Sequence, residues 1–314
     1  MKKNDKKLNL VQTICTITVI IVFAFIGYYF EGNGEENLEN NVETLSLIDE
    51  NVSINNENLK IHYVDVGQGD SIIIEQNGHY MLIDAGPNSC KENLLSYINS
   101  LNIKKFDYVI GTHAHEDHIG SMDAVINSYE VDKVLFSKHT TTTKTFENFA
   151  NAVKNKGLKL YAPSVNEEFE FQDSKFIVLA PNSSYYSDLN NYSIVIKFIY
   201  KDTSYLFTGD AETLSEQEML DKNLDVEADV LKVGHHGSKS STSKKFLDAV
   251  NPKYAIISCG VDNDYGHPKS VIMNRLKKAN VIVYRTDESS TIVLTSDGKN
   301  ITFDKEPGSY NGNN

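Results

Sequence analysis

Between Leu10 and Phe30 the chain carries no charged side chain, and the run is rich in Ile, Val and Phe. Its length matches the ~20 residues that a membrane-spanning helix needs. Lys2, Lys3, Lys6 and Lys7 precede it against a single Asp5, and it ends in Gly27-Tyr28-Tyr29-Phe30 with no small-residue cleavage site. An aromatic end fits a membrane interface better than a signal-peptide cleavage region. The expectation is therefore an uncleaved transmembrane anchor over 10–30 behind a basic cytoplasmic tail, residues 1–9. A cleaved signal peptide is the alternative. Basic residues before the span place everything after it outside the cell membrane, as a single-pass protein. Residues 31–59 are dominated by Asn and Glu with little apolar content, which reads as a flexible acidic stalk.

From residue 60 onward, apolar positions alternate or cluster in short runs. KIHYVDV and SIIIEQ read as strands around a Gly67-Gln68-Gly69-Asp70 turn, and Asn77-Gly78 is a two-residue hairpin signal before HYMLIDA. KENLLSYINSL has helical spacing, and FDYVIGT follows as a buried strand. SMDAVINSY, TFENFANAVKNKG, ETLSEQEMLDK, KKFLDAV and SVIMNRLKKA read as helices. KVLFS, LKLYA, the hairpin EEFEF–SKFIVLA, YSIVIKFIY, SYLFTGD, ADVLKVG, YAIISCG and a closing group read as strands. No repeat and no linker interrupts 60–314. Helices scattered among many strands predict sheets covered by helices in one domain.

Charge narrows the partners. The net charge is −13; residues 1–30 carry +3, residues 31–60 carry −7 and the remainder −9. The globular part is acidic and its only arginines are Arg275 and Arg285. That balance counts against a broad duplex-binding face, though not against a local basic groove. Cys90 and Cys259 alone lie outside the apolar run; whether they pair stays open.

Chemistry concentrates at GTHAHEDHIG, residues 111–120, where His113, His115, Asp117 and His118 share one turn between a buried strand and a helix. Imidazole and carboxylate suit zinc or manganese, and rigid turns after strands are where reactive groups are held. LFTGD places Asp210 at another strand end. LKVGHHGSKSS places His235 and His236 ahead of a Gly-Ser turn where Ser238 and backbone amides could hold an anion. Adjacent loop side chains point differently, so one of the two histidines serves the metal and the other the substrate. His267, in DYGHPKS, is a candidate substrate or acid–base residue. His62, His79 and His139 have no such context and default to packing or surface.

Together, LIDAG, HxHxDH, LFTGD and the late HHG resemble the metallo-β-lactamase superfamily, whose fold is an αββα sandwich with a one- or two-metal site on its edge. The resemblance implies that Asp84 buttresses the cluster and that Asp210 bridges two divalent ions, zinc or manganese. A first site would use His113, His115 and Asp210; a second would use Asp117, His118, Asp210 and His235 or His236. VDVGQGDS, LKVGHHGSKSS and YGHP make the likeness closer to the C-terminal extracytoplasmic hydrolase domain of the competence (DNA-uptake) ComEC family, from about residue 60 to the end. The HHG segment is also similar to the phosphorylcholine esterase branch.

Two departures stand out. Many two-metal members carry another histidine between the cluster and the bridging aspartate, and SDLNNYSIVIKF has none. Asn191 is the candidate in its place, as a weak ligand or water holder. His115 also stands where the ComEC family often has aspartate. The implied function is metal-assisted hydrolysis of a phosphate-ester substrate, DNA among the candidates, with Asp117, His236 and His267 in catalytic roles. The alternatives are a cell-envelope ester hydrolase, a lactonase or β-lactamase, and a non-enzymatic binding domain.

Overall fold

The computed structural model describes residues 58–314, so the predicted tail, anchor and nearly all of the stalk lie outside the described residues. The description starts with a meander: β1 (Leu59–Tyr63), β2 (Ser71–Gln76) and β3 (His79–Ala85). Asn77 and Gly78 join the last two with φ of 53° and 78°, the left-handed pair that a two-residue hairpin requires. After a short 3-10 turn come α1 (Lys91–Ser100), β4 (Lys105–Gly111), α2 (Glu116–Ile119), α3 (Met122–Ser128), β5 (Glu130–Phe136), α4 (Lys144–Asn155) and the two-residue β6 (Leu160–Tyr161).

The second half of the chain builds a second sheet. It contains β7 (Glu168–Phe171), β8 (Ser174–Ala180), β9 (Val195–Tyr200), β10 (Thr203–Phe207), α5 (Thr213–Asp221), β11 (Val230–Lys232), α6 (Lys244–Val250), β12 (Tyr254–Ile257), α7 (Ser270–Lys278), β13 (Ile282–Arg285) and α8 (Thr286–Ser289). The last strands, β14 (Ile292–Ser296) and β15 (Ile301–Phe303), return to the first sheet. The sheet orders are β15-β14-β1-β2-β3-β4-β5-β6 and β13-β12-β11-β10-β9-β8-β7.

Strand alternation separates three apolar layers. Ile72, Ile74, Met81 and Ile83 face Phe176, Phe198, Tyr205 and Phe207 between the sheets. Ile73 and Leu82, on the opposite pleat, pack with Leu94, Ile98, Met122, Val125 and Phe149 from the helices of the first sheet. Leu231, Ala255 and Ile257 do the same with Met219, Phe246, Leu247, Ile272 and Leu276. Each fully buried side chain of this size contributes roughly 1.5–3 kcal/mol of transfer free energy. The result is the helix–sheet–sheet–helix sandwich. Among the described residues no helix is long and apolar enough to cross a membrane.

What positions the site is the direction of the central strands. β3, β4 and β5 run parallel in one sheet, and β10, β11 and β12 run parallel in the other. Their carboxyl ends carry Asp84, the histidine cluster, Asp210, the His235–His236 pair and the loop to His267. Ligands in α/β proteins gather at such ends because the loops there converge.

Candidate metal centre

Asp84, the penultimate residue of β3, adopts the left-handed region, φ 57°, and is wholly buried. Its carboxylate accepts the Thr112 amide at 2.8 Å and the Thr112 hydroxyl at 2.7 Å. It also faces His118 Nδ1 at 2.8 Å. That contact fixes the imidazole so that Nε2 points into the site, as carboxylate partners of metal-binding histidines do. Burial raises the Asp84 carboxyl while His118 opposes the rise. This is the buttressing position.

Asp210 stands at the centre. Its Oδ1 lies 3.2 Å from His118 Nε2 and 3.5 Å from His236 Nε2. Its Oδ2 lies 3.9 Å from His113 Nε2 and 3.7 Å from His235 Nε2. Three groups of donors lie close enough to share an ion: Asp117, His118, Asp210 and His236 on one side of Asp210, His113, His115 and Asp210 on the other, and Asp70, Asp84 and His118 behind the His118 ring. His113 Nε2 and His115 Nδ1 are 2.9 Å apart, and Asp117 Oδ2 is 3.2 Å from His236 Nε2.

The electrostatics fit divalent cations. Four carboxylates, Asp70, Asp84, Asp117 and Asp210, surround buried imidazoles, and His118 Nε2 and Asp210 Oδ1, though 3.2 Å apart, are buried with no well-aligned hydrogen bond to any group. Orphaned buried polar atoms are costly unless something pairs with them. Burial would depress His118, yet Asp210, Asp117 and Asp84 hold it well above the usual imidazole range. His236 behaves likewise: burial opposes, and Asp210, Asp70 and Asp117 push it up to about 10. His113 goes the other way, held well below the usual range by burial and by His118. Burial works against ionisation of Asp210, but His118 and His236 hold it well below the usual carboxylate range.

His236, rather than His235, joins the four-donor group. Both residues adopt the left-handed region in succession, with φ/ψ of 48°/46° and 54°/22°, which turns their side chains apart. Such strain at neighbouring non-glycine residues concentrates at functional sites. Asn191 lies behind Glu212 and outside the donor groups around Asp210. Its amide oxygen accepts the backbone N–H groups of Glu212 and Ser215, and its Nδ2 donates to Glu212. It caps the approach to α5, because two unsatisfied amides there outcompete any weaker use of the side chain. Ser238 also faces its own loop, 3.0 Å from Ser240 Oγ.

His267 lies at the mouth. Its backbone is clamped by Asn263, which accepts the His267 N–H and donates to the His267 carbonyl. Its ring lies between Tyr265 and His236, with interplanar angles of 19° and 28°. Burial, with His236 and His235, depresses its pKa to about 4. A cleft of about 330 Å³ opens here, lined by Gln68, His115, Asp117, His235, Tyr265 and His267 among others. Tyr265 is 63% exposed.

Several supporting residues are only faintly signalled in the sequence. Asp70 pairs with Lys232 Nζ at 2.8 Å, both wholly buried, and faces His236 Nδ1 at 3.3 Å. A lone lysine inside the apolar strand ADVLKVG was the available hint. Gly69 is required because a Cβ there would sit 2.3 Å from the Asp117 carbonyl, so the VGQGD turn seats the Asp117 loop. His62 and His79 pair with Glu75 and Asp107, and His139 stacks on Tyr192. Cys90 and Cys259 are free, buried thiols.

With this fold and this edge site goes one family. The metallo-beta-lactamase superfamily matches residues 64–261, and the chain belongs to it, as a metal-dependent hydrolase fold. Among curated proteins it is similar to ComE operon protein 3 of Bacillus subtilis, 32% identical over 79% of this chain and 34% of that protein. It is also similar to the competence protein ComA of Neisseria gonorrhoeae, 26% identical over 73% of this chain and 31% of that one. The chain thus spans about a third of the length of these relatives. Of solved structures, the metallo-beta-lactamase fold protein YhfI from Bacillus subtilis superposes with a TM-score of 0.54 at 12% identity, covering 76% of this chain and all of that one. Igni18, a metallo hydrolase from Ignicoccus hospitalis, gives 0.52 at 15% identity over 75% of this chain and 98% of the other.

Proposed function

We propose that this chain hydrolyses phosphodiester bonds, as a nuclease or phosphodiesterase of competence-protein type, on the outer side of the cytoplasmic membrane. The observation that carries this is the division of Asp210, one oxygen turned to His118 and His236 and the other to His113 and His235. A carboxylate shared in this way suits two cations a short distance apart, the arrangement used for in-line displacement at phosphorus. The competence proteins among its relatives point the same way, and the uncharged run from Leu10 to Phe30 supplies the anchor.

Bound ions would supply Lewis acidity, activating water and screening charge on the phosphate. His113, His115 and Asp210 would hold one, and Asp117, His118, Asp210 and His236 the other. Asp117 stays ionised, since His118 and His236 overcome the effect of its burial and lower its pKa, so it can orient an attacking water by accepting its proton in a hydrogen bond. His267, neutral near pH 7, presents an imidazole edge to the phosphate from a position that Asn263 fixes. Tyr265 offers an exposed aromatic face at the rim, on which a base can stack.

That same face favours one rival reading, a choline phosphoester, because an aromatic ring also attracts quaternary ammonium. The test offers single-stranded DNA, bis-p-nitrophenyl phosphate and p-nitrophenylphosphorylcholine to the detergent-solubilised full chain with Mn²⁺ or Zn²⁺. DNA cleavage that disappears in Asp210→Asn supports the proposal. Turnover of the choline ester alone replaces it with the rival.

A further inference from the structure

We infer that His235 is the missing donor of the ion held between His113 and His115, so that two consecutive histidines serve two different ions. The family's usual pattern draws this donor from the segment before the bridging aspartate, and here that segment holds Asn190 and Asn191 instead.

Three observations lead to it. First, His235 Nε2 addresses the same Asp210 oxygen as His113, at 3.7 Å, whereas His236 addresses the other oxygen. Second, His235 repeats the backing found behind every other imidazole that turns Nε2 to the centre. His118 has Asp84 at Nδ1 and His236 has Asp70 and the Ser258 carbonyl. His113 has the Thr112 and Ser193 hydroxyls. His235 has Glu212 Oε1 at 3.5 Å and Ser240 Oγ at 3.2 Å. An oxygen at Nδ1 fixes the tautomer that leaves Nε2 free to bind metal. Third, the segment that lacks the histidine supports its substitute, because Asn191 donates to Glu212 Oε2 at 3.2 Å while Glu212 Oε1 faces His235. His235, 23% exposed at its side chain, lines the cleft together with His115, and from there it would complete the donor set.

The inference rests on the two-ion reading of the centre, and the experiment separates the two. The metal-free full chain is titrated with Co²⁺, following its visible ligand-field absorption and the heat of binding. Two equivalents of unequal affinity are expected in the wild type; a single equivalent overturns the two-ion reading and this inference with it. In His235→Ala the weaker equivalent should lose affinity about 10–100-fold while the stronger one and its spectrum stay unchanged. The double variant His113→Ala/His235→Ala should be no worse than His113→Ala alone, whereas His118→Ala/His235→Ala should show both losses. Two unchanged equivalents in His235→Ala, or non-additivity with His118 in place of His113, overturn the assignment. His235→Gln keeps the length of the side chain without the imidazole and guards against a collapsed loop. Its weaker equivalent should remain at least tenfold impaired, and wild-type affinity there overturns the assignment as well.

Discussion

The two halves of the metal centre share Asp210 but stand on different foundations. Behind the Oδ1 half are buried carboxylates, Asp84 at His118 and Asp70 at His236. Behind the Oδ2 half are mostly hydroxyls: Thr112 and Ser193 at His113, Ser240 at His235, with the partly exposed Glu212. The consequence shows in basicity. Asp210 and its neighbouring carboxylates hold His118 and His236 above their ordinary range despite burial, whereas burial and His118 push His113 below it. A more basic imidazole is a stronger donor, so the expectation to test is tighter binding of a divalent ion at the Oδ1 half than at the Oδ2 half.

The contrast can be broken at its shared point. Asp210→Asn should remove both halves together, with hydrolysis falling on the order of 10³-fold or more and neither ion retained in metal analysis. Survival of one ion at wild-type affinity would show that the halves do not share the residue.

Lys232→Met attacks only the Oδ1 foundation. It strands the Asp70 carboxylate without its buried partner, which should destabilise the fold by about 3–5 kcal/mol, read from urea unfolding with EDTA present. The pH dependence carries a sign that can be checked in the same assay. Despite burial, Lys232 and His236 lower Asp70 to about 2, below the ~3.9 of an unfolded chain. Its contribution is therefore present above pH ~3.9 and lost as pH falls through about 2. His236 runs oppositely: raised to about 10 from ~6.5, it stabilises the metal-free protein fully below that lower value, and this is lost as pH rises toward 10. Metal-free protein whose stability is flat between pH 7 and 10 would contradict the carboxylate-backed picture.

Asp84→Asn is the milder cut on the same side. It should weaken the ion at the Oδ1 half about 10–100-fold and the other ion clearly less in calorimetric titration, since Asp84 reaches His113 only through the Thr112 hydroxyl. Equal weakening of both would erase the distinction. The smallest effect is expected at the rim. Tyr265→Ala should raise KM for single-stranded DNA about fivefold, from ~1 kcal/mol of lost stacking, without changing metal content or kcat. A loss of metal would place Tyr265 inside the centre instead.

Much of this centre is legible in the chain because metal ligands cluster locally. GTHAHEDHIG declares itself within one turn, and Asp84, Asp210 and the HHG pair each follow a recognisable strand. The foundations are not legible, since they depend on which distant segments meet. Asp70 and Lys232 are 162 positions apart in sequence and become partners only when the VGQGD turn of one sheet reaches β11 of the other. The choice between His235 and His236 is set by two successive left-handed residues, a backbone state that sequence does not announce for histidine. Asn191, a weak ligand or water holder by its position in the chain, commits its amide oxygen to the backbone N–H groups of Glu212 and Ser215 at the start of α5, a helix that begins twenty-two residues later at Thr213. Strands were easier to find than to pair: the runs around residues 160 and 230 shrink to the short β6 and β11, while β14 and β15 cross back to the first sheet.

That return crossing has a mechanical meaning. β1, the first strand after residue 58, is an interior strand, paired antiparallel to β2 on one side and β14 on the other. A pull on the chain ahead of it cannot peel an edge. It must shear two hydrogen-bonded ladders at once, those to β2 and to β14. Force along the segment ahead of β1 therefore meets the sheet at an interior, doubly paired strand rather than at an edge.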